Sequence, residues 1–89
     1  MSEEADYTFH AFVFNGGLYI ELWEYKGGFV DFKVASRNDP DIFWFECLFR
    51  GSKDDLVDQI TAYAENLHDE GIVNLRMDPY WKTYLRNSI

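Results

Sequence analysis

Two histidines, one cysteine and sixteen carboxylates are the groups in this 89-residue chain with the chemistry for catalysis or metal binding. Glu65 and His68 stand at E-x-x-H spacing, which on a helix sets a carboxylate and an imidazole on one face, as in helical di-iron centres. Such a centre needs a second copy of the motif and two more helical glutamates. The other histidine, His10, lies among strand formers in "YTFHAFVF". Cys47 near a histidine would make a thiol nucleophile. It falls in phase with Phe43, Phe45 and Phe49, however, which is the setting of a buried thiol of ordinary reactivity. Asp39 and Asp41 in "RNDPD" lack the glycine and the terminal glutamate of a calcium loop. Gly16-Gly17 and Gly27-Gly28 join strand-like runs, and neither leads from a strand into a helix as a phosphate loop does. The expectation is a protein that is not an enzyme, with no catalytic residues, no metal and no cofactor.

The carboxylates are ordered in a different way. Between Asp54 and Glu70 there are six acids and no base. At 100° per residue, Asp54, Asp58, Glu65 and Asp69 fall within roughly 60° of one another, opposite an apolar stripe, and run about 22 Å along a helix. Asp69 and Glu70 stand at the end where the helix dipole disfavours negative charge, by about 0.3–1 kcal/mol each. A second anomaly lies in "GLYIELWEYKGGF". Leu18, Ile20 and Leu22 form one face of a strand, while Tyr19, Glu21, Trp23 and Tyr25 occupy the face that would ordinarily meet water. In the later strands Phe29, Asp31, Lys33, Trp44, Glu46 and Leu48 fall on that same side. Aromatics interleaved with acids suit a protein-binding surface. The candidate partner-binding residues are therefore Asp54, Asp58, Glu65, Asp69 and Glu70 on the helix, with Tyr19, Glu21, Trp23, Tyr25, Trp44 and Glu46 on the sheet.

The elements that must carry these groups follow from turn chemistry and period. Asn15-Gly16 and Gly27-Gly28 are hairpin signals, and Asn, Asp and Pro make "RNDPD" a loop. They separate four strands, over 7–14, 18–26, 29–36 and 42–50, and short connections make neighbours antiparallel. Ser52 followed by Asp55 resembles a capping box. Leu56, Ile60, Tyr63, Ala64 and Leu67 then recur at helical spacing until Gly71. "IVNLRM" is read as a fifth short strand or an extended return. Asp78-Pro79 offers an N-cap and first-turn proline for a short terminal helix. The fold class expected is α+β: a four-stranded antiparallel meander, one long amphipathic helix on one face, and a short C-terminal helix. In that helix Tyr80, Trp81, Tyr84 and Leu85 are available to fold back over the aromatic side of the sheet.

Residues 1–6 read as an acidic tail and 7–89 as one domain. With a single cysteine no intramolecular disulfide forms, so seventeen aromatic residues must supply the core. Neither a signal peptide nor a membrane-spanning stretch is read, and the expected setting is the cytoplasm. The net charge is −8; residues 1–70 hold fifteen acids and five bases, and residues 71–89 hold one acid and three bases. That field repels nucleic acid and anionic membranes and attracts basic proteins.

In size, charge and element order the whole chain resembles small inhibitor proteins of phages and other mobile elements, namely anti-CRISPR proteins and DNA mimics. The resemblance implies a basic nucleic-acid-binding effector or nuclease as the partner, and the host cytoplasm as the location. Two alternatives remain open at this stage. One is an immunity protein that neutralises a basic nuclease toxin. The other is a homodimeric accessory or structural module that pairs through its aromatic sheet face.

Overall fold

The computed structural model describes residues 6–41 and 44–89. The acidic tail read over residues 1–6 falls almost wholly outside them, as do Ile42 and Phe43 at the start of the expected fourth strand. Four strands, β1 (Tyr7–Val13), β2 (Leu18–Tyr25), β3 (Val30–Ser36) and β4 (Trp44–Phe49), precede helix α1 (Lys53–Asp69). A single 3-10 turn (Leu75–Met77) and a short helix α2 (Trp81–Ser88) complete the order. The strands form one antiparallel sheet in the order β1-β2-β3-β4, so the architecture is the α+β meander expected from the sequence.

Each hairpin loop has three residues and ends in a left-handed glycine. Phe14 N–H donates to Leu18 O across the first, and Tyr25 N–H to Phe29 O across the second. Gly17 and Gly28 take φ of 90° and 86°, a conformation that costs glycine little. Ser52 caps α1 by accepting the Asp55 N–H at 3.1 Å. At the other end Gly71 N–H donates to His68 O and Ile72 N–H to Leu67 O, with Gly71 at φ 77°, the double closure of a Schellman motif.

The core lies on one side of the sheet. Leu18, Ile20, Leu22, Phe32 and Val34 meet Leu56, Ile60, Ala64 and Leu67 of α1, all buried. The Tyr63 ring stacks on Phe45 with centroids 4.8 Å apart, which sets α1 over β3 and β4. The terminal helix was available to cover the opposite side; it does not. Trp81 and Leu85 are buried in the same core as α1. Trp81 lies 6.0 Å from Phe14 and Tyr84 lies 6.4 Å from Phe12, so α2 sits over β1, beside α1. Arg86 of α2 bonds Asp54 of α1 at 2.6 Å.

The segment leaving α1 is an extended return and a 3-10 turn, not a fifth strand. His68 Nδ1 accepts the Leu75 N–H at 3.2 Å, and Asn74 caps the turn through Arg76 N–H. Asp78 does not cap α2. Its carboxylate takes the Asn15 N–H at 3.1 Å, and Tyr80 occupies the N-cap position without a side-chain bond. Asn74 N–H also donates to Gly16 O at 2.9 Å. The two backbones approach so closely there that a Cβ on Gly16 would stand 2.0 Å from Asn74 O, and Gly16 has φ of +91°.

Gly16→Ala is therefore expected to cost on the order of 2–4 kcal/mol, since backbone must move as well as adopt a disfavoured φ. Gly17→Ala, with φ +90° but open space around its Cβ, should cost only about 1 kcal/mol. Urea denaturation of the two variants measures the difference.

Candidate protein-interaction surface

The strand register turns the open side of the sheet into a grid. Its first row is Val13, Tyr19, Ala35 and Trp44, and its second is Ala11, Glu21, Lys33 and Glu46. The third is Phe9, Trp23, Asp31 and Leu48, and Tyr7 beside Tyr25 makes the last. Among the described residues no helix lies across this face, and the loop after β3 borders its first two rows, where Arg37, Pro40 and Asp41 line a recess with Val13, Tyr19, Glu21 and Lys33. Trp44 keeps 47% of its surface exposed, Leu48 65%, Phe9 47% and Val13 53%. Phe9 and Trp23 pack at a centroid distance of 5.0 Å, and Tyr7 and Tyr25 at 5.6 Å. These tilted cross-strand pairs stiffen the surface.

The charges of the face are three carboxylates around one ammonium. Lys33 stands between Glu21 and Glu46 on its neighbouring strands. Its Nζ lies 5.2 Å from the Trp44 ring centre and 3.9 Å from Asp41, so it is held against the surface. Burial pushes the Asp31 carboxyl above its ordinary range, and the neighbouring Glu46 charge adds to the effect. The Tyr19 hydroxyl donates to the Glu21 carboxylate. Burial first, and then that bond and the Glu21 charge, push Tyr19 up to about 12. Both groups are therefore shifted by partial burial first and by a neighbouring carboxylate second.

The structure brings Tyr19, Glu21, Trp23, Tyr25, Trp44 and Glu46 together on this grid. It does not bring the helix acids to them. The apolar stripe of α1 faces the sheet, so its exposed Asp58, Glu65 and Asp69 point away from the molecule on the opposite side, with Glu70 at the C-cap. The two candidate surfaces stand back to back rather than side by side. Asp54 is engaged by Arg86 and is not a free member of the stripe. His68 accepts the Leu75 N–H at Nδ1 and so secures the return loop. Cys47 shares the helix side with Phe45 and Phe49 as its phase requires, but it is half-buried rather than buried. His10 Nε2 lies 2.5 Å from Glu24 on that same side, a pair the sequence reading missed.

The sequence reading also missed the contribution of β1, whose Tyr7, Phe9 and Val13 widen the face by a full strand. Counting outward from a hairpin centred on Gly16 pairs 7 with 25 and 9 with 23, which is the signal that finds them. Among the described residues no three His, Cys, Asp or Glu side chains converge to hold a metal ion, and no helix is long and apolar enough to cross a membrane.

Fold and face together define a single-sheet α+β domain with a one-sided core and an aromatic, acid-studded platform. The chain matches no protein-family model, no curated protein and no solved structure.

Two titrations probe the platform. Tyr19 is raised from 10.0 to about 12, so the fold favours the neutral phenol, and its contribution is complete below pH 10 and lost between pH 10 and 12. Ultraviolet titration of tyrosinate should show a late step near pH 12 that Tyr19→Phe removes. For Asp31 the folded state binds its proton more tightly than the unfolded chain, so ionisation at neutral pH opposes folding. Asp31→Asn should raise stability at pH 7 by up to about 0.5 kcal/mol once solvent screening is counted. That gain should vanish in denaturation curves recorded below the ordinary carboxylate range.

Proposed function

We propose that this chain is a non-catalytic inhibitor of the anti-CRISPR or DNA-mimic kind, which docks its open sheet face on a basic nucleic-acid-binding protein. The observation that carries the reading is the composition of that face. Exposed Trp44 and Leu48 flank Glu46 along β4, Leu48 shares its row with Asp31, and Glu21 lies in the row between, on a sheet whose other side holds the core. Aromatic and aliphatic groups of this kind act as desolvated anchors. Carboxylates among them take Lys and Arg side chains that otherwise hold phosphates. The Asp31 carboxyl is raised by burial first and by the Glu46 charge second, and an Arg set between Asp31 and Glu46 would offset the second of these, which favours a cationic partner over a neutral one. The α1 stripe faces away from such a partner, and its role in this reading is the long-range field that speeds encounter.

Competition with nucleic acid tests this. Purified CRISPR effector complexes and basic nuclease toxins, each carrying a fluorescent duplex or substrate, are titrated with the protein. Loss of duplex from one effector, weakening steeply as salt rises, is the expected result. Glu21→Gln, Asp31→Asn and Glu46→Gln combined should weaken it about tenfold or more, and Trp44→Ala should speed dissociation with little change in salt dependence. Replacing Asp58, Glu65 and Asp69 by their amides should slow association only. Inhibition confined to a nuclease toxin would move the protein to the immunity class. Failure to displace substrate from any basic protein would end the reading.

A further inference from the structure

The outer edge of the sheet at β1 carries an inference independent of the face. Across the first hairpin the hydrogen-bonded pair Phe14–Leu18 fixes the phase of the ladder. With the register Tyr7↔Tyr25 to Val13↔Tyr19, the even residues Thr8, His10 and Phe12 turn their backbone groups towards β2. The odd residues Tyr7, Phe9, Ala11 and Val13 turn theirs outward. Among the described residues no loop, cap or side chain bonds to these outward groups.

Exposed edges of this length are ordinarily guarded by a lysine, a proline, a bulge or an inward charge. In β1, "YTFHAFV", there is no lysine, no proline and no bulge: its pairing with β2 is unbroken from end to end, and its inward titratable side chain, His10, is tied to Glu24 of β2 at 2.5 Å rather than left to guard the edge. The opposite edge differs, since β4 has six residues and carries Glu46. Exposed apolar side chains also gather at the β1 edge on both sides of the sheet. Tyr7, Phe9 and Val13 project on the open side, and Tyr80 at the N-cap of α2 and Tyr84 within it, 77% and 62% exposed, stand on the helix side. Between these tyrosines and the strand lies a recess of about 340 Å³ that also touches Asp78, whose carboxylate is taken by Asn15.

We infer that β1 pairs antiparallel with β1 of a second copy of this chain, about a two-fold axis through the sheet, to make one continuous eight-stranded sheet. Charge selects the occupant. For a molecule of net charge −8, most surfaces of two copies repel. This edge brings together two strands that hold no Asp, Glu, Lys or Arg and whose His10 is matched by Glu24 of its own β2, whereas a basic peptide strand would find no carboxylate on β1. Full overlap of the seven residues sets Phe9 opposite the second copy's Ala11 and Tyr7 opposite its Val13, with all the outward backbone groups between them paired. The tyrosines of the two α2 helices then meet across the axis, and the two open faces lie on the same side as one double-width platform.

Sedimentation and light scattering over a range of concentrations read the oligomer, and amide exchange reads the strand. The expected result is a species of twice the single-chain mass in which the Phe9 and Ala11 amides exchange at least tenfold more slowly than in the dilute monomer. Ala11→Pro removes an outward donor that the β1–β2 ladder does not use, and Ala11→Lys supplies the missing guard. Both should give a monomer with an unchanged far-ultraviolet spectrum. Should Ala11→Pro fail to fold, Ala11→Lys alone decides. Trp44→Ala, three strands away, should leave the dimer intact. A monomer at several hundred micromolar would overturn the inference. So would a dimer that survives Ala11→Lys, or one that Trp44→Ala dissociates, which would mark pairing through the sheet face.

Discussion

The placement of every surface in this protein depends on one close approach, between the first hairpin and the chain that leaves α1. Asn74 N–H reaches Gly16 O, and a side chain on Gly16 would occupy the space of the Asn74 carbonyl. The same corner is held by Asp78 on Asn15 N–H and by His68 on Leu75 N–H. These bonds bring the return loop across the end of the sheet on the side of α1, so α2 has nowhere to lie but over Phe12 and Phe14. Had the return crossed on the other side, Trp81 and Leu85 would have covered the aromatic rows. The open platform is thus a product of backbone contact at a glycine, not of the platform's own residues.

A chain this short has little room to build a core, and domains of its size often rely on disulfides or metals. Here two helices side by side concentrate burial on one side of the sheet. Phe32, Leu18, Ile20, Leu22, Ile60, Leu67 and Leu85 are essentially without solvent contact. Tyr63, Trp81 and Tyr84 fill the gaps between helix and sheet with ring-to-ring contacts. Among the described buried apolar residues only Ala35 belongs to the open side. The molecule's cohesion and its exposed chemistry are therefore divided between the two faces of a single sheet.

The elements were legible because their boundaries are written in local chemistry: glycines at the two hairpins, Ser52 at the start of α1, Gly71 at its end. The Tyr19–Tyr25 side of β2 was legible too, since strict alternation with Leu18, Ile20 and Leu22 leaves one assignment. What local chemistry does not encode is which side a terminal helix chooses. Asp78-Pro79 has the form of an N-cap, but the carboxylate answers to an amide 63 residues earlier in the chain. The β1 strand was ambiguous for another reason: Phe9 on one alternation and Phe12 on the other are equally apolar, and only the turn geometry decides between them. The separation of the acidic helix stripe from the aromatic rows was hidden for the same reason that both were visible. Each is a property of one element, and their relation is a property of the packing.

The division of the sheet into a sealed side and an open one sets the terms on which this protein can change over generations. Residues on the open rows touch little of the core, and substitutions at such positions ordinarily shift stability by no more than about 0.5 kcal/mol. Leu48 and Glu46 can therefore be exchanged one at a time while Gly16, Leu67 and Trp81 keep the scaffold. A lineage carrying this fold can remodel its open face residue by residue without passing through unfolded ancestors.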